Sequence, residues 1–358
     1  HEGRPGVVEA AGLPSAEGIT IARLGFRRFA AADADYEALA RLIGTASVAD
    51  GLDYVPSVAG LRNDFEHVAD FDPREDVLLA EVDDALVGFG QVQRDVRDGR
   101  PVYWTFGTVL PAYRRHGLGR AIVRANERRL REIGRRFGEE EGRTFASWAD
   151  DQQSGTRELL TSEGYEPIRY GFSMRRPDLE ELPEAPLPDG LEVRPVLPEH
   201  HRAIFDADDE AFRDHWGHRD ATEEDFAARY GDPDLDTRLW RVAWDGEQVA
   251  GSVMSYIWRS ENEALGVRRG WLERISVRRP WRQRGLARAL IVSALEGLRD
   301  AGMNEAMLGV DAENPTGAVR LYESVGFREK DRSTRYQKAW SWDPGRRQGS
   351  ASRARPRT

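Results

Sequence analysis

The chain repeats its own pattern of elements at a spacing of about 165 residues, and that repeat limits what it can fold into more than any other feature. Gly18-Ile19-Thr20-Ile21-Ala22-Arg23 answers to Gly190-Leu191-Glu192-Val193-Arg194-Pro195, each reading as an opening strand. Helical spacing follows at 33–43, with Tyr36, Leu39, Ala40 and Ile43 on one face, and again at 198–212. Each half then offers two strands joined by a turn, around Asp83-Asp84 and around Asp245-Gly246, the latter a strong hairpin signal. A strand, a basic loop and a helix come next, then a buried strand (144–148 and 306–310), a short helix and a closing Gly164-Tyr165 or Gly326-Phe327. This order, given twice, predicts an α/β chain of two domains, each with helices on both faces of a mixed sheet.

The strand-loop-helix unit carries the chemistry. In the second half an apolar strand (272–277) runs through Arg278-Arg279-Pro280-Trp281-Arg282-Gln283-Arg284 into a helix opening at Gly285-Leu286-Ala287-Arg288. A first helical turn leaves up to about four backbone N–H groups unpaired, the helix dipole adds positive potential, and small residues let an anion come close. Such a junction suits a phosphate. The first half repeats it as Val109-Leu110-Pro111-Ala112-Tyr113-Arg114-Arg115-His116-Gly117-Leu118-Gly119, with Gly117 lying 168 residues before Gly285. A dinucleotide fingerprint fits less well: Ile122 and Leu290 stand where its third glycine belongs, and no acidic residue ends a second strand about 20 residues on.

Both loops, Arg114-Arg115-His116-Gly117-Leu118-Gly119 and Arg282-Gln283-Arg284-Gly285-Leu286-Ala287, fit (Gln/Arg)-x-x-Gly-x-(Gly/Ala), and Asn314-Pro315-Thr316-Gly317-Ala318-Val319-Arg320-Leu321-Tyr322 leads into Gly326-Phe327. Together these resemble the GNAT superfamily of acyl-CoA-dependent N-acyltransferases. The resemblance covers nearly the whole chain, and the two-copy arrangement is similar to tandem members of the mycothiol synthase kind. It implies two GNAT-like domains, each a mixed, mostly antiparallel sheet. It also implies acetyl-CoA as co-substrate, its pyrophosphate held by the loop and its pantetheine arm laid along the preceding strand. In the second half the cofactor-binding residues so implied are Ile275, Val277, Arg282, Gln283, Arg284, Gly285, Leu286, Ala287, Arg288 and Asn314. In the first they are Val109, Arg114, Gly117 and Gly119.

Acetylating an amine requires a base to strip the ammonium and an acid for the departing thiolate. Tyr322 aligns with the family tyrosine that protonates this thiolate, and a phenol with an unperturbed pKa near about 10 stays a donor at neutral pH. Glu273 is the candidate base; counting by alternation from Val277 puts it on the strand face of positions 275 and 277. Asn314 is equally readable as a helix cap. The first half offers Leu160, Gln152 and Thr105 where the second has Tyr322, Asn314 and Glu273, so it reads as degenerate and non-catalytic. Phe212, His215 and Trp216 fall where family members place a mobile segment over the acceptor. His215 and His218 have metal-ligand spacing, but no third clustered ligand is evident and Gly217 interrupts any helix aligning them, so no metal is expected.

Composition narrows the partners. The chain has no cysteine, which removes disulfides and a cysteine acyl-enzyme. Its 50 Arg against two Lys make arginine near a loop poor evidence by itself. Net charge is −10, five arginines of the last fifteen residues aside still more negative, which argues against nucleic acid and favours a cationic partner. No apolar run approaches the roughly 18 residues of a membrane span, and a cytoplasmic enzyme, monomer or homodimer, is expected. We expect a flexible leader (1–17), an N-terminal domain (18–176), a stiff Pro/acidic linker (177–189), a catalytic C-terminal domain (190–343) and a disordered basic tail (344–358), with the two sheets packing together. The leading function is transfer of acetyl from acetyl-CoA to a small-molecule amine by direct attack; the other is a silent acyl-CoA-binding or regulatory protein.

Overall fold

The computed structural model describes residues 12–138, 143–313 and 317–340. The N-terminal half runs β1 (Leu24–Arg28), α1 (Asp33–Asp50), α2 (Val58–Glu66), α3 (Pro73–Asp76), β2 (Val77–Val82), β3 (Ala85–Arg97), β4 (Arg100–Val109), α4 (Leu118–Arg136), β5 (Thr144–Asp150), α5 (Ser154–Ser162) and β6 (Glu166–Arg176). The C-terminal half runs β7 (Glu192–Arg194), α6 (His201–Phe212), α7 (Glu223–Tyr230), β8 (Arg241–Asp245), β9 (Gln248–Tyr256), α8 (Arg259–Leu265), β10 (Arg269–Val277), α9 (Leu286–Asp300), β11 (Glu305–Asp311), α10 (Ala318–Ser324) and β12 (Arg328–Ala339). The expected leader ends before residue 18 only in part: 1–11 lie outside the described residues, while Leu13, Ile19 and Ile21 pack against a core cluster. The predicted opening strand at 18–23 is displaced to Leu24–Arg28. The tail from 344 lies outside the described residues.

The two sheets meet edge to edge and merge. All strands join one 12-stranded sheet in the order β1-β2-β3-β4-β5-β12-β6-β11-β10-β9-β8-β7. The last strand of each half has crossed over: β12 pairs with β5, from Ser333 opposite Asp150 to Ala339 opposite Thr144, and β6 pairs with β11, from Ala306 opposite Arg176 to Asp311 opposite Gly171. The two exchanged strands then pair with each other. Both copies carry the same alternation, so sequence pattern alone does not say whose strand completes whose sheet.

Helices cover both faces. On α9, Leu286, Leu290, Ala294 and Leu298 recur every fourth residue and are all buried, packing with Ala250, Val253 and Leu272 of β9 and β10. Each fully buried leucine contributes about 1.5–3 kcal/mol. The linker has no regular element, as its prolines predict, but Leu179 is buried and Leu182, Ala185 and Leu187 pack on the C-terminal core.

Because β-ladders rather than the linker hold the halves together, cutting the chain at the exposed Glu184 leaves a complex. Size-exclusion chromatography after cleavage at a protease site placed there is expected to return one 1:1 species; separate folded halves would contradict the strand exchange.

Candidate functional site

In the C-terminal half, β10 and β11 pair in parallel from Arg269 opposite Glu305 to Trp271 opposite Met307, and there the ladder stops. Beyond it the strands diverge, leaving the edge of 272–277 towards β11 without a ladder. After Val277 comes a short 3-10 turn (Arg279–Trp281), then Gln283 at φ 61° and Gly285 at φ 84°, which caps α9. No side chain satisfies the cap, and a Cβ added at Gly285 would meet nothing within 4 Å. The opening turn of α9 therefore presents its N–H groups to an open surface.

The arginine of the motif does a different job from the expected one. Arg282 donates from Nε to the Val277 carbonyl at 2.9 Å, from Nη1 to Asp214 at 2.7 Å and from Nη2 to the Ala211 carbonyl at 3.0 Å. It fastens the loop to the end of α6 with three of its five N–H donors. Asp214 is held well below the usual carboxylate range by Arg279 and then Arg282. Arg284 is exposed, and Arg288 donates to Ser324 Oγ at 2.7 Å. Ile275, Val277 and Leu286 pack in the core beneath α9, and Ala287 is half-buried in its first turn.

The N-terminal half repeats this framework: β4 and β5 pair only from Val102 to Trp104, Arg115 and Gly117 have φ of 66° and 90°, and Arg114 donates to Val109 and Asp50. Here the loop is covered. Thr20 N donates to the His116 carbonyl at 3.1 Å and Thr20 Oγ1 lies 2.9 Å from His116 Nδ1. A Cβ at Gly117 would stand 3.1 Å from the Gly18 carbonyl, and one at Gly119 3.1 Å from Leu159. Residues 18–20 thus lie across the loop whose pattern leaves open a second CoA site or a scaffold role. Leu160 is a core residue, Thr105 is buried and accepts from Asn126 Nδ2 at 2.9 Å, and Gln152 donates to Asp331.

Glu273 occupies a bulge, since the ladder with β9 shifts register between Leu272 and Arg274. The extra residue breaks the alternation on which its placement rested. Ile275 and Val277 face the core under α9, whereas Glu273 faces a cavity of about 510 Å³ on the other side. Trp258 Nε1 donates to its carboxylate at 3.0 Å. The side chain meets water in the cavity but lies deep within the molecule, and burial raises its pKa against the pull of Trp258 and Arg274. Tyr322 on α10 is buried among core residues, edge-on to Phe327, and burial pushes its phenol up to about 12, so it stays protonated at neutral pH. It is not among the residues lining the cavity, and Asn314 lies outside the described residues.

Both halves build this cavity. The segment between α1 and α2 supplies Asp53 and Tyr54, and α2 supplies Asp64; Asp232 and Asp234 follow α7; Trp258, Glu261, Trp271 and Glu273 come from α8 and β10 with the residue before α8. Asp150, Ser173 and Asp331 from the exchanged strands and their neighbour complete it. Three of its carboxylates are raised: burial and then Asp232 bring Asp64 to about 6, burial and then Asp331 bring Asp150 to about 6, and burial brings Glu261 to about 7. Asp53 is shifted the other way. Bound to Arg269 at 2.7 Å and to Lys330 at 2.6 Å, it keeps a lowered pKa despite burial. These residues stand some 200 positions apart in sequence, and only the overall acidity hinted at them.

Phe212, His215 and Trp216 do not join the cavity. The Phe212 ring carries the Arg274 guanidinium at 4.2 Å and the His215 ring at 4.5 Å. Trp216 lies between Arg169 and Arg335, 4.3 and 4.7 Å from its ring, and the neighbouring Gly217 N donates to Asp98 Oδ2 at 3.0 Å. The segment thus covers the N-terminal half's β3–β4 turn, the counterpart of what the α1–α2 segment does for the other half. His215 and His218 also fail to converge; His218 groups instead with Asp209 and Asp220.

Comparison with known proteins agrees with this framework. The profile of the acetyltransferase (GNAT) family matches residues 42–138 and 201–327. The chain is 30% identical over 307 residues to mycothiol acetyltransferase of Salinispora tropica, covering 85% of this chain and 92% of that protein, and 32% identical over 261 residues to that of Streptomyces scabiei, covering 71% and 78%. Among solved structures, a GCN5-related N-acetyltransferase from Sphaerobacter thermophilus superposes with a TM-score of 0.67 at 26% identity, covering 89% of this chain and 96% of that one. A tandem GNAT protein from the clavulanic acid biosynthesis pathway shares the fold, with a TM-score of 0.63 at 16% identity over 89% of this chain and 99% of its own. With its two strand-loop-helix units, two split strand pairs and these relatives, the chain belongs to the GNAT acetyltransferase family as a tandem, two-copy N-acetyltransferase.

Proposed function

We propose that the chain binds one acetyl-CoA, in the C-terminal half, and transfers its acetyl group to a primary amine of a cationic small molecule seated in the cavity between the halves. The observation that carries this reading is the acidic cavity beside the split of β10 from β11, with Glu273 in a bulge between the two. The donor's phosphates fit the N–H groups from Gly285 to Arg288, with Arg284 and Arg288 adding charge, and its extended arm fits the free edge of 272–277 as an added strand. Asp64, Asp232 and Asp234 have no ion-pair partner among the described residues, and Tyr54, Trp258 and Trp271 offer ring faces, so the cavity favours an ammonium group over a neutral or anionic acceptor. Relatives over most of the chain are named mycothiol acetyltransferase, which supports acetyl transfer.

Glu273 takes the proton of the acceptor ammonium, and the freed lone pair attacks the thioester carbonyl. Tyr322, protonated throughout the neutral range, supplies the proton that the leaving thiolate needs. Removing either group is expected to lower kcat by about 100-fold while acetyl-CoA affinity stays near wild type, in Glu273→Gln and Tyr322→Phe alike, when thiol release is followed over a panel of primary amines. Wild-type turnover in either variant would remove that residue from the mechanism.

Calorimetry is expected to find one acetyl-CoA per chain. Gly285→Glu, which sets a carboxylate at an open loop, should abolish binding, whereas Gly117→Glu should leave donor binding intact and lower the melting temperature, because a positive φ and the Gly18 carbonyl both oppose a side chain there. Two sites of similar affinity would mean that residues 18–20 do not close the first loop.

Acceptor affinity should fall between pH 7.5 and pH 5. Asp64 and Asp150 titrate near about 6, so their charge, and with it the attraction for a cation, is lost as pH drops. An affinity that rises over this range would contradict the cationic acceptor.

A further inference from the structure

Four residues at the back of the cavity are tied by two reciprocal hydrogen bonds. Trp258, which precedes α8, donates its indole N–H to Glu273 on β10 at 3.0 Å, and Trp271 on β10 donates to Glu261 on α8 at 2.7 Å. The helix gives a tryptophan to the strand's glutamate, and the strand returns one to the helix's glutamate. An indole has one donor, so each bond engages one carboxylate oxygen and leaves the second. All four side chains line the same cavity. Two indoles thereby hold two carboxylates in fixed orientation on one wall, which is more construction than a single base requires.

The charges around Glu261 leave it poised. Arg269 Nη1 lies 3.6 Å from Glu261 Oε1, but that guanidinium already binds Asp53 at 2.7 Å and Glu305 at 2.6 Å. Lys330 is likewise engaged by Asp53 and Asp331. Facing Glu261 from β10 and from the α1–α2 segment, Glu273 and Asp53 oppose its ionisation. Burial is the largest cause and the Trp271 bond the chief opposing one, with the outcome at about 7.

We propose that Glu261 is a second proton acceptor of the acetyl-transfer reaction, acting with Glu273 as a carboxylate pair that deprotonates the acceptor ammonium. The inference rests on the acetyl-transfer reading above. The ammonium gives one proton to the pair, which later releases it to solvent. The amine lone pair forms the N–C bond, the C–S bond breaks, and the thiolate takes the Tyr322 proton. The second N–H proton, lost as the amide forms, restores the Tyr322 phenol. Trp258 and Trp271 are positioning residues in this scheme, since they act through the glutamates.

The pH profile of kcat/KM separates this role from a merely structural one. A base must be ionised, so activity falls as pH drops through the titration of the pair, and Glu261, raised to about 7, contributes to that acid limb. With the amine that the wild-type enzyme acetylates fastest, Glu261→Gln should lose about 10-fold or more in kcat at pH 7.5 with acetyl-CoA affinity unchanged, and its acid limb should move. Glu261→Asp should recover part of the loss. Should Glu261→Gln fold poorly because Arg269 loses a neighbour, Trp271→Phe serves in its place: removing the N–H that favours the charged carboxylate should push the limb to higher pH. An unmoved limb in either variant, with folding intact by melting temperature, overturns the proposal while leaving Glu273 in place. A wild-type enzyme that releases thiol with none of the amines overturns the acetyl-transfer reading and this proposal with it.

Discussion

The exchange of β6 and β12 is the constraint on which the rest of the structure depends. It converts two half-sheets into one and leaves only β1 and β7, strands of five and three residues, at the outer edges. Short edges are the safe kind, since they offer little unpaired backbone to another chain. The same exchange brings Asp331 of β12 beside Asp150 of β5 and puts the α1–α2 segment of one half against the strand of the other that splits from its neighbour. The cavity is thus a product of topology, and neither half contains it alone.

Electrostatics then holds the junction. Arg269 is almost fully buried and reaches Asp53 and Glu305, one from each half, while Lys330 binds Asp53 from β12. Removing one member of such a buried network leaves the others uncompensated, a loss of about 3–5 kcal/mol, so the joint tolerates little change. Two further carboxylates of the same cavity, Asp64 and Asp232, have no ion-pair partner among the described residues, in a chain that carries 50 arginines. That contrast is what turns an acidic wall into a reading about the acceptor.

Much of the framework was legible in the sequence. The hairpins at Asp83-Asp84 and Asp245-Gly246, both basic loops that follow a strand and the helices after them stand where the pattern put them, because local turn chemistry and periodicity determine them. Three things were not legible, each for its own reason. The strand exchange was hidden because identical alternation fits either partner. The face of Glu273 was misjudged because a bulge adds a residue without any mark in the sequence. Arg114 and Arg282 looked like phosphate ligands, but their guanidiniums close the loop onto a strand carbonyl and a helix end, a use that only geometry reveals. Glu261 went unnoticed since its meaning comes from Trp271, ten residues away on another element.

The crossed strands also set the order in which this chain can be made. A strand such as β5 cannot find its neighbour β12 until on the order of 180 further residues have been synthesised, and contacts of such long sequence separation are slow to form. Until then the N-terminal half has an open interior edge at Thr144–Asp150, exposed during translation to any other extended segment. The buried surroundings of the cavity are therefore the last part of the molecule to mature, and a ribosome-bound first half has its own strand-loop-helix unit but not the cavity that both halves line.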